Sequence, residues 1–151
     1  MKKGKMNNKG FSLVELIIVI AIMAVLVVVL APQYLKYVER SRNATDLQNA
    51  RAIVTACQVW GADPAVPANE AFVDGTFHVK VTGAGNTLEQ ASTQNTTAFD
   101  AALKNAAITK NNIKCKSKTA WTEYMITIAV DKNGITFSYG GTDFAKAIEG
   151  N

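Results

Sequence analysis

The chain has 151 residues, 48% of them apolar, and a formal net charge of +4. That length supports one domain with one modest core, not two. The charge does not describe a nucleic-acid-binding face: Lys2, Lys3, Lys5 and Lys9 lie in a ten-residue head without acids, and beyond it 12 basic side chains balance 12 acidic ones.

A basic head directly before an apolar segment holds that end on the cytoplasmic side of a membrane. The segment here, Phe11 to Ala31, is interrupted only by Ser12 and Glu15, and from Leu16 onward it is apolar without a break. As a helix its 21 residues rise about 32 Å, which matches a hydrocarbon core of roughly 30 Å. Three readings compete. A secretory signal cut after the segment would place Val29-Leu30-Ala31 before Pro32, without the small-x-small pattern and with a proline just past the cut. A plain single-pass anchor explains the length and the lysines but gives Glu15 no purpose. The third reading puts the cut before the segment, between Gly10 and Phe11. The lysine-rich leader is then lost, and the apolar helix stays on the mature chain with Phe11 first.

Residues 9–15, KGFSLVE, resemble the signal cut by prepilin peptidase in type IV pilins: a short basic leader, Gly, Phe, a small hydroxyl residue, two apolar residues and Glu. Gly10, Phe11, Ser12, Leu13, Val14 and Glu15 fill these places. Pro32 stands where pilins commonly carry a helix-kinking proline, and Tyr34, Tyr37 and Arg40 where many have Tyr, Tyr and Arg. The resemblance covers residues 9–42. It implies cleavage at Gly10–Phe11, N-methylation of Phe11 by the same peptidase, and a pairing of the Glu15 carboxylate with the Phe11 amine of a neighbouring subunit during assembly. An ionised carboxylate inside a membrane helix is unfavourable, by about 2.5–3.5 kcal/mol at mid-span and less near the end, so Glu15 needs such a partner.

The helix is expected to resume after Pro32, which removes one backbone hydrogen bond and favours a kink. Leu47, Ala50, Ile53, Val54, Cys57 and Trp60 recur at helical spacing and form one apolar stripe, ended by Gly61 and Pro64. Residues 62–76 read as irregular. Phe77, Val79 and Val81 alternate with His78, Lys80 and Thr82 and predict a strand, with His78 on its solvated face. Gly83 to Thr96 reads as loop, Thr97 to Ala107 as a short helix, and Ile113 to Ser117 as a weak strand. Tyr124 to Val130 and Ile135 to Tyr139 are the clearest strands, joined through Asp131-Lys132-Asn133-Gly134. Thr142 to Ile148 reads as a terminal helical turn. The expected fold class is α+β: a long N-terminal helix with an apolar first half, packed on a three- to four-stranded antiparallel sheet, the lollipop of type IV pilins. The expected parts are a leader (1–10), a membrane and polymerisation half-helix (11–32) and a globular domain (33–151).

Cys57 and Cys115 leave two states open, a helix-to-sheet disulfide or two buried free thiols. No cysteine follows Cys115, so a staple of the C-terminal loop is absent. This and the Asn/Lys/Thr-rich loops lean toward pilins of Gram-positive bacteria. With His78 the only histidine and no Ser/His/Asp set, phosphate-binding glycine loop or ligand cluster, no enzyme activity, cofactor or metal is expected. The resemblance implies a structural subunit of a type IV pilus, used for adhesion, aggregation, motility or DNA uptake. Its implied partners are prepilin peptidase, identical subunits in a helical homopolymer, the assembly platform with its ATPases, and the membrane before assembly; nucleic acid is not expected for the subunit itself. The implied location is the cytoplasmic membrane first and an extracellular filament afterwards. The alternative is a pseudopilin of a type II secretion or competence system. Its major subunits carry an acidic calcium-binding loop near the C-terminus, where this chain offers only scattered Asp131, Asp143 and Glu149.

Overall fold

The computed structural model describes residues 11–109 and 112–150. The expected leader therefore lies outside the described residues. Helix α1 spans Leu13–Ala62 and contains Pro32 without interruption. A division into two compact units falls between Val38 and Glu39. In the first unit every residue from Phe11 to Tyr37 is exposed, including the whole apolar run.

The second unit holds the core. From Glu39 onward α1 buries Leu47, Ala50, Ile53 and Cys57 of the expected stripe together with Ala56, while Val54 and Trp60 are half-buried. Four strands follow: β1 (Gly75–Thr82), β2 (Gly85–Glu89), β3 (Glu123–Asp131) and β4 (Gly134–Gly140). They form one antiparallel sheet in the order β2-β1-β3-β4. Phe77, Val79 and Val81 on β1, and Tyr124, Ile126 and Ile128 on β3, are buried at every second position and share one cluster with the helix stripe. Helices α2 (Thr93–Asn105) and α3 (Thr142–Glu149) add Phe99 and Leu103, and Phe144 and Ile148, to that cluster. Phe144 stacks on Tyr124, with ring centroids 4.2 Å apart, and meets Trp121 edge-on at 5.2 Å.

Three expectations need correction. Gly83 to Thr96 is not one loop: Gly85 to Glu89 pairs with β1, and α2 begins at Thr93. The Ser92 hydroxyl accepts the Asn95 amide at 3.1 Å and so caps α2 four residues ahead of the expected start. Ile113 to Ser117 is not a strand. Its side chains at 113, 115 and 117 are buried and those between them are not, but the Lys116 and Ser117 amides turn to the Asp46 carboxylate on α1; one ladder-like bond remains, from the Cys115 amide to the Thr82 carbonyl at 3.0 Å. His78 sits on the partly exposed face of β1, held by Thr127 Oγ1 at 2.9 Å and Gln90 Oε1 at 3.0 Å.

Candidate functional site: the start of the long helix and the clasp behind it

Phe11 and Ser12 precede the helix, and Phe11 is 84% exposed. The Ser12 carbonyl accepts the first helical bond, from the Leu16 amide at 3.2 Å. Glu15, three residues on, turns back so that its Oε2 accepts the Ser12 amide at 2.8 Å. A helix start leaves several amides without intrahelical partners, and a glutamate at this position satisfies one of them. Its negative charge also sits at the positive end of the helix dipole. Glu15 thus engages its own chain through one oxygen. Gly10 lies outside the described residues. Pro32 is exposed inside α1, where it has no amide to give to the helix.

From Leu13 to Leu30 every large apolar side chain is at least 40% exposed. Among the described residues this is the one helix long and apolar enough to cross a membrane. A monomer in water would expose an apolar surface far larger than soluble proteins tolerate, so lipid or other protein must cover it.

In the second unit, sequence reasoning missed two carboxylates. Glu39 and Asp46 stand seven residues apart on α1 and gather the segment 115–121. Asp46, at 0% exposure, accepts the Lys116 amide at 2.7 Å on Oδ1, and the Ser117 amide and Trp121 Nε1, both at 2.9 Å, on Oδ2. Cys115 Sγ donates to the same carboxylate at 3.5 Å. Glu39 Oε1 accepts the Ser117 hydroxyl at 2.8 Å and the amides of Lys118 and Thr119 at 2.7 and 2.9 Å. Four consecutive amides, which a sheet edge would otherwise have to satisfy, are thereby held by a helix. The signal was present: Glu39 and Asp46 continue the stripe of Leu47, Ala50, Ile53 and Cys57 backward, but acids on a stripe are usually solvated.

The clasp also resolves the cysteines. Both are buried free thiols, not a helix-to-sheet disulfide. Cys115 is tied to Asp46, which lies about 16 Å along the helix from Cys57, beyond the reach of a disulfide. Burial pushes both thiols up to about 12, helped at Cys115 by the Asp46 carboxylate, so neither is reactive at neutral pH.

The Thr119 and Lys118 amides and the Ser117 hydroxyl hold the Glu39 carboxyl well below the usual carboxylate range. A carboxyl lowered by folding stabilises the fold fully above its unfolded value, about 4.5, and loses that contribution as pH falls toward the folded value. Thermal stability of a fragment beginning at Gln33 is therefore expected to drop on acidification below about pH 4.5, with a shallower slope for Glu39→Gln. Equal slopes for the two proteins in thermal melts would remove Glu39 as the cause.

Residues 5–31 match the family model described as the prokaryotic N-terminal methylation motif. The chain is 42% identical over 66 residues to prepilin peptidase-dependent protein A of Clostridium perfringens (strain 13 / Type A), covering 42% of this chain and 46% of that one. It is 39% identical over 50 residues to the type IV major pilin protein PilA of Myxococcus xanthus (strain DK1622), covering 33% and 23%. It is 32% identical over 108 residues to the type IV major fimbrial protein FimA of Dichelobacter nodosus, covering 70% and 62%. The matches thus span from about a quarter to about three fifths of these relatives' lengths. No solved structure matches the chain. With the methylation motif at the head of a long apolar helix, a four-stranded antiparallel sheet after it in the chain, and these relatives, the chain is similar to the type IV pilins.

Proposed function

We propose that this chain is a structural subunit of a type IV pilus, cut by prepilin peptidase between Gly10 and Phe11, methylated on the Phe11 amine, and polymerised with copies of itself. The single observation that carries this reading is the uninterrupted series from Gly10 to Glu15, leading into an apolar helix that is exposed among the described residues. In this reading the exposed run from Leu16 to Ala31 is buried first in lipid and then by neighbouring helices. The cytoplasmic membrane holds the subunit by a single pass before assembly, and the assembly platform and its ATPases supply the work. The subunit itself performs no chemistry.

Glu15 has two oxygens to place. Oε2 takes the Ser12 amide of its own chain, which leaves Oε1 for the amine of a neighbour. Each added subunit then brings one carboxylate and one amine into the filament core, and neither charge is left alone in a medium where that is costly. Cleavage creates the amine at the position where the carboxylate needs it.

The test is the intact mass of the chain recovered from membranes. The expected mass is that of a polypeptide beginning at Phe11 and carrying one methyl group, and in cells lacking the peptidase that of the uncut, unmethylated chain. A mature chain that begins at Met1, or one cut near Pro32, contradicts the reading.

A further inference from the structure

The second unit carries opposite charges at its two ends. At one end the clasp fixes the 115–121 segment with Cys115 and Ser117 turned inward, so the side chains of Lys116 and Lys118 stand exposed. The acids at this end are engaged elsewhere: Asp46 and Glu39 hold the amides, and Glu123 pairs with Lys80 at 3.2 Å. Arg42 lies 3.4 Å from the outer oxygen of Glu39, and Lys114 is half-buried. Lys116 and Lys118 make no ion pair among the described residues.

At the other end, exposed Asp63, Asp74 and Asp131 line a cleft of about 370 Å³ whose apolar walls include Trp60, Phe72 and Ile135. Asp63 and Asp131 each use Oδ1 to hold a local amide, of Ala65 at 2.8 Å and Asn133 at 2.7 Å. Their Oδ2 atoms, and the carboxylate of Asp74, meet no donor among the described residues. Lys132, next to Asp131, is the basic neighbour at this end and is exposed. Two rulers separate the ends by the same distance. Fifteen helical residues from Asp46 to Gly61 rise about 22 Å, and β1 from Gly75 to Thr82 rises about 23 Å.

A mostly polar cleft that sets carboxylates beside a few apolar side chains suits a lysine, whose head is a cation and whose stem is apolar. We propose that Lys116 and Lys118 of one copy dock into the Asp63–Asp74–Asp131 cleft of the next copy. The contact joins two different surfaces of the same chain, so it repeats head to tail, which builds an open filament wherever the rotation from copy to copy does not close a ring. It rests on the pilus reading above and adds to it an electrostatic contact between the second units, separate from the pairing at Glu15.

The test is a charge exchange in the full chain, scored as filaments per cell by electron microscopy at equal levels of membrane protein. Lys116→Glu with Lys118→Glu, and separately Asp63→Lys with Asp74→Lys, are each expected to reduce filaments roughly tenfold or more, because like charges then face each other across the contact. The four substitutions together are expected to restore most of the filaments, an outcome that a merely structural role for any of these residues does not produce. Wild-type filament numbers in either reversed variant, or no recovery in the combined one, overturn the proposal while leaving the pilus reading intact. Wild-type cells without filaments overturn the pilus reading and this contact with it.

Discussion

Glu15→Ala is expected to leave processed, methylated protein in the membrane at wild-type levels and to abolish most or all filaments. The substitution removes the one charge between Phe11 and Gln33, so it does not hinder insertion. On the proposed pairing it leaves the amine of a neighbouring Phe11 buried in the filament core without a partner, at a cost on the order of 3–5 kcal/mol. A loss of that size is a factor of hundreds or more in the association constant for each added subunit. The substitution also removes the acceptor of the Ser12 amide, but that bond is exposed and a lost helix cap of this kind costs only about 1 kcal/mol. Glu15→Gln separates the two roles. It keeps an acceptor for Ser12 and removes the charge, so it is expected to fail in assembly as Glu15→Ala does. Filaments from Glu15→Gln with none from Glu15→Ala would assign the defect to the helix start and not to the ion pair.

Asp46→Ala is expected to destabilise the fragment beginning at Gln33 by about 3–5 kcal/mol, because it strands the Lys116 and Ser117 amides and the Trp121 indole N–H around a buried void. For a unit of this size that corresponds to a fall in melting temperature of roughly 10–20 °C. Asp46→Asn keeps one acceptor but turns an amide NH2 toward a donor, and is expected to cost less, about 2–3 kcal/mol. Calorimetry of the three proteins checks the order. A melting temperature for Asp46→Ala within a degree or two of wild type would show that water replaces the carboxylate without loss.

The parts of this protein that the sequence made legible are those whose signal is contiguous. The run from Gly10 to Glu15 falls inside the methylation motif, the stripe from Leu47 to Cys57 repeats at the helical period, and Asp131 to Gly134 joins two alternating strands. What escaped depends on distant partners. Strand β2 opens on Gly85 and Asn86, which have little strand preference, and becomes a strand because Val79 to Val81 lies alongside it. Ile113 to Ser117 alternates as a strand does, but its last two amides are taken by Asp46 and the next two in the chain by Glu39, some seventy to eighty residues away. Asp46 lies on the stripe, but its burial could not be read there, because a carboxylate is worth burying only when several donors converge on it, and those donors come from the same remote segment. The disulfide question had the same origin: Cys57 and Cys115 each fit the core, and only the attachment of Cys115 to Asp46 fixes their separation.

Whether this chain is the repeating unit of a surface filament is decided by shearing cells and identifying the filament protein by mass spectrometry, in strains with and without the gene. Long filaments whose main component is this chain beginning at Phe11 are expected, and none in the deletion strain. Long filaments that persist without the chain, or a processed chain that stays in the membrane and never enters a sheared filament, would contradict this expectation.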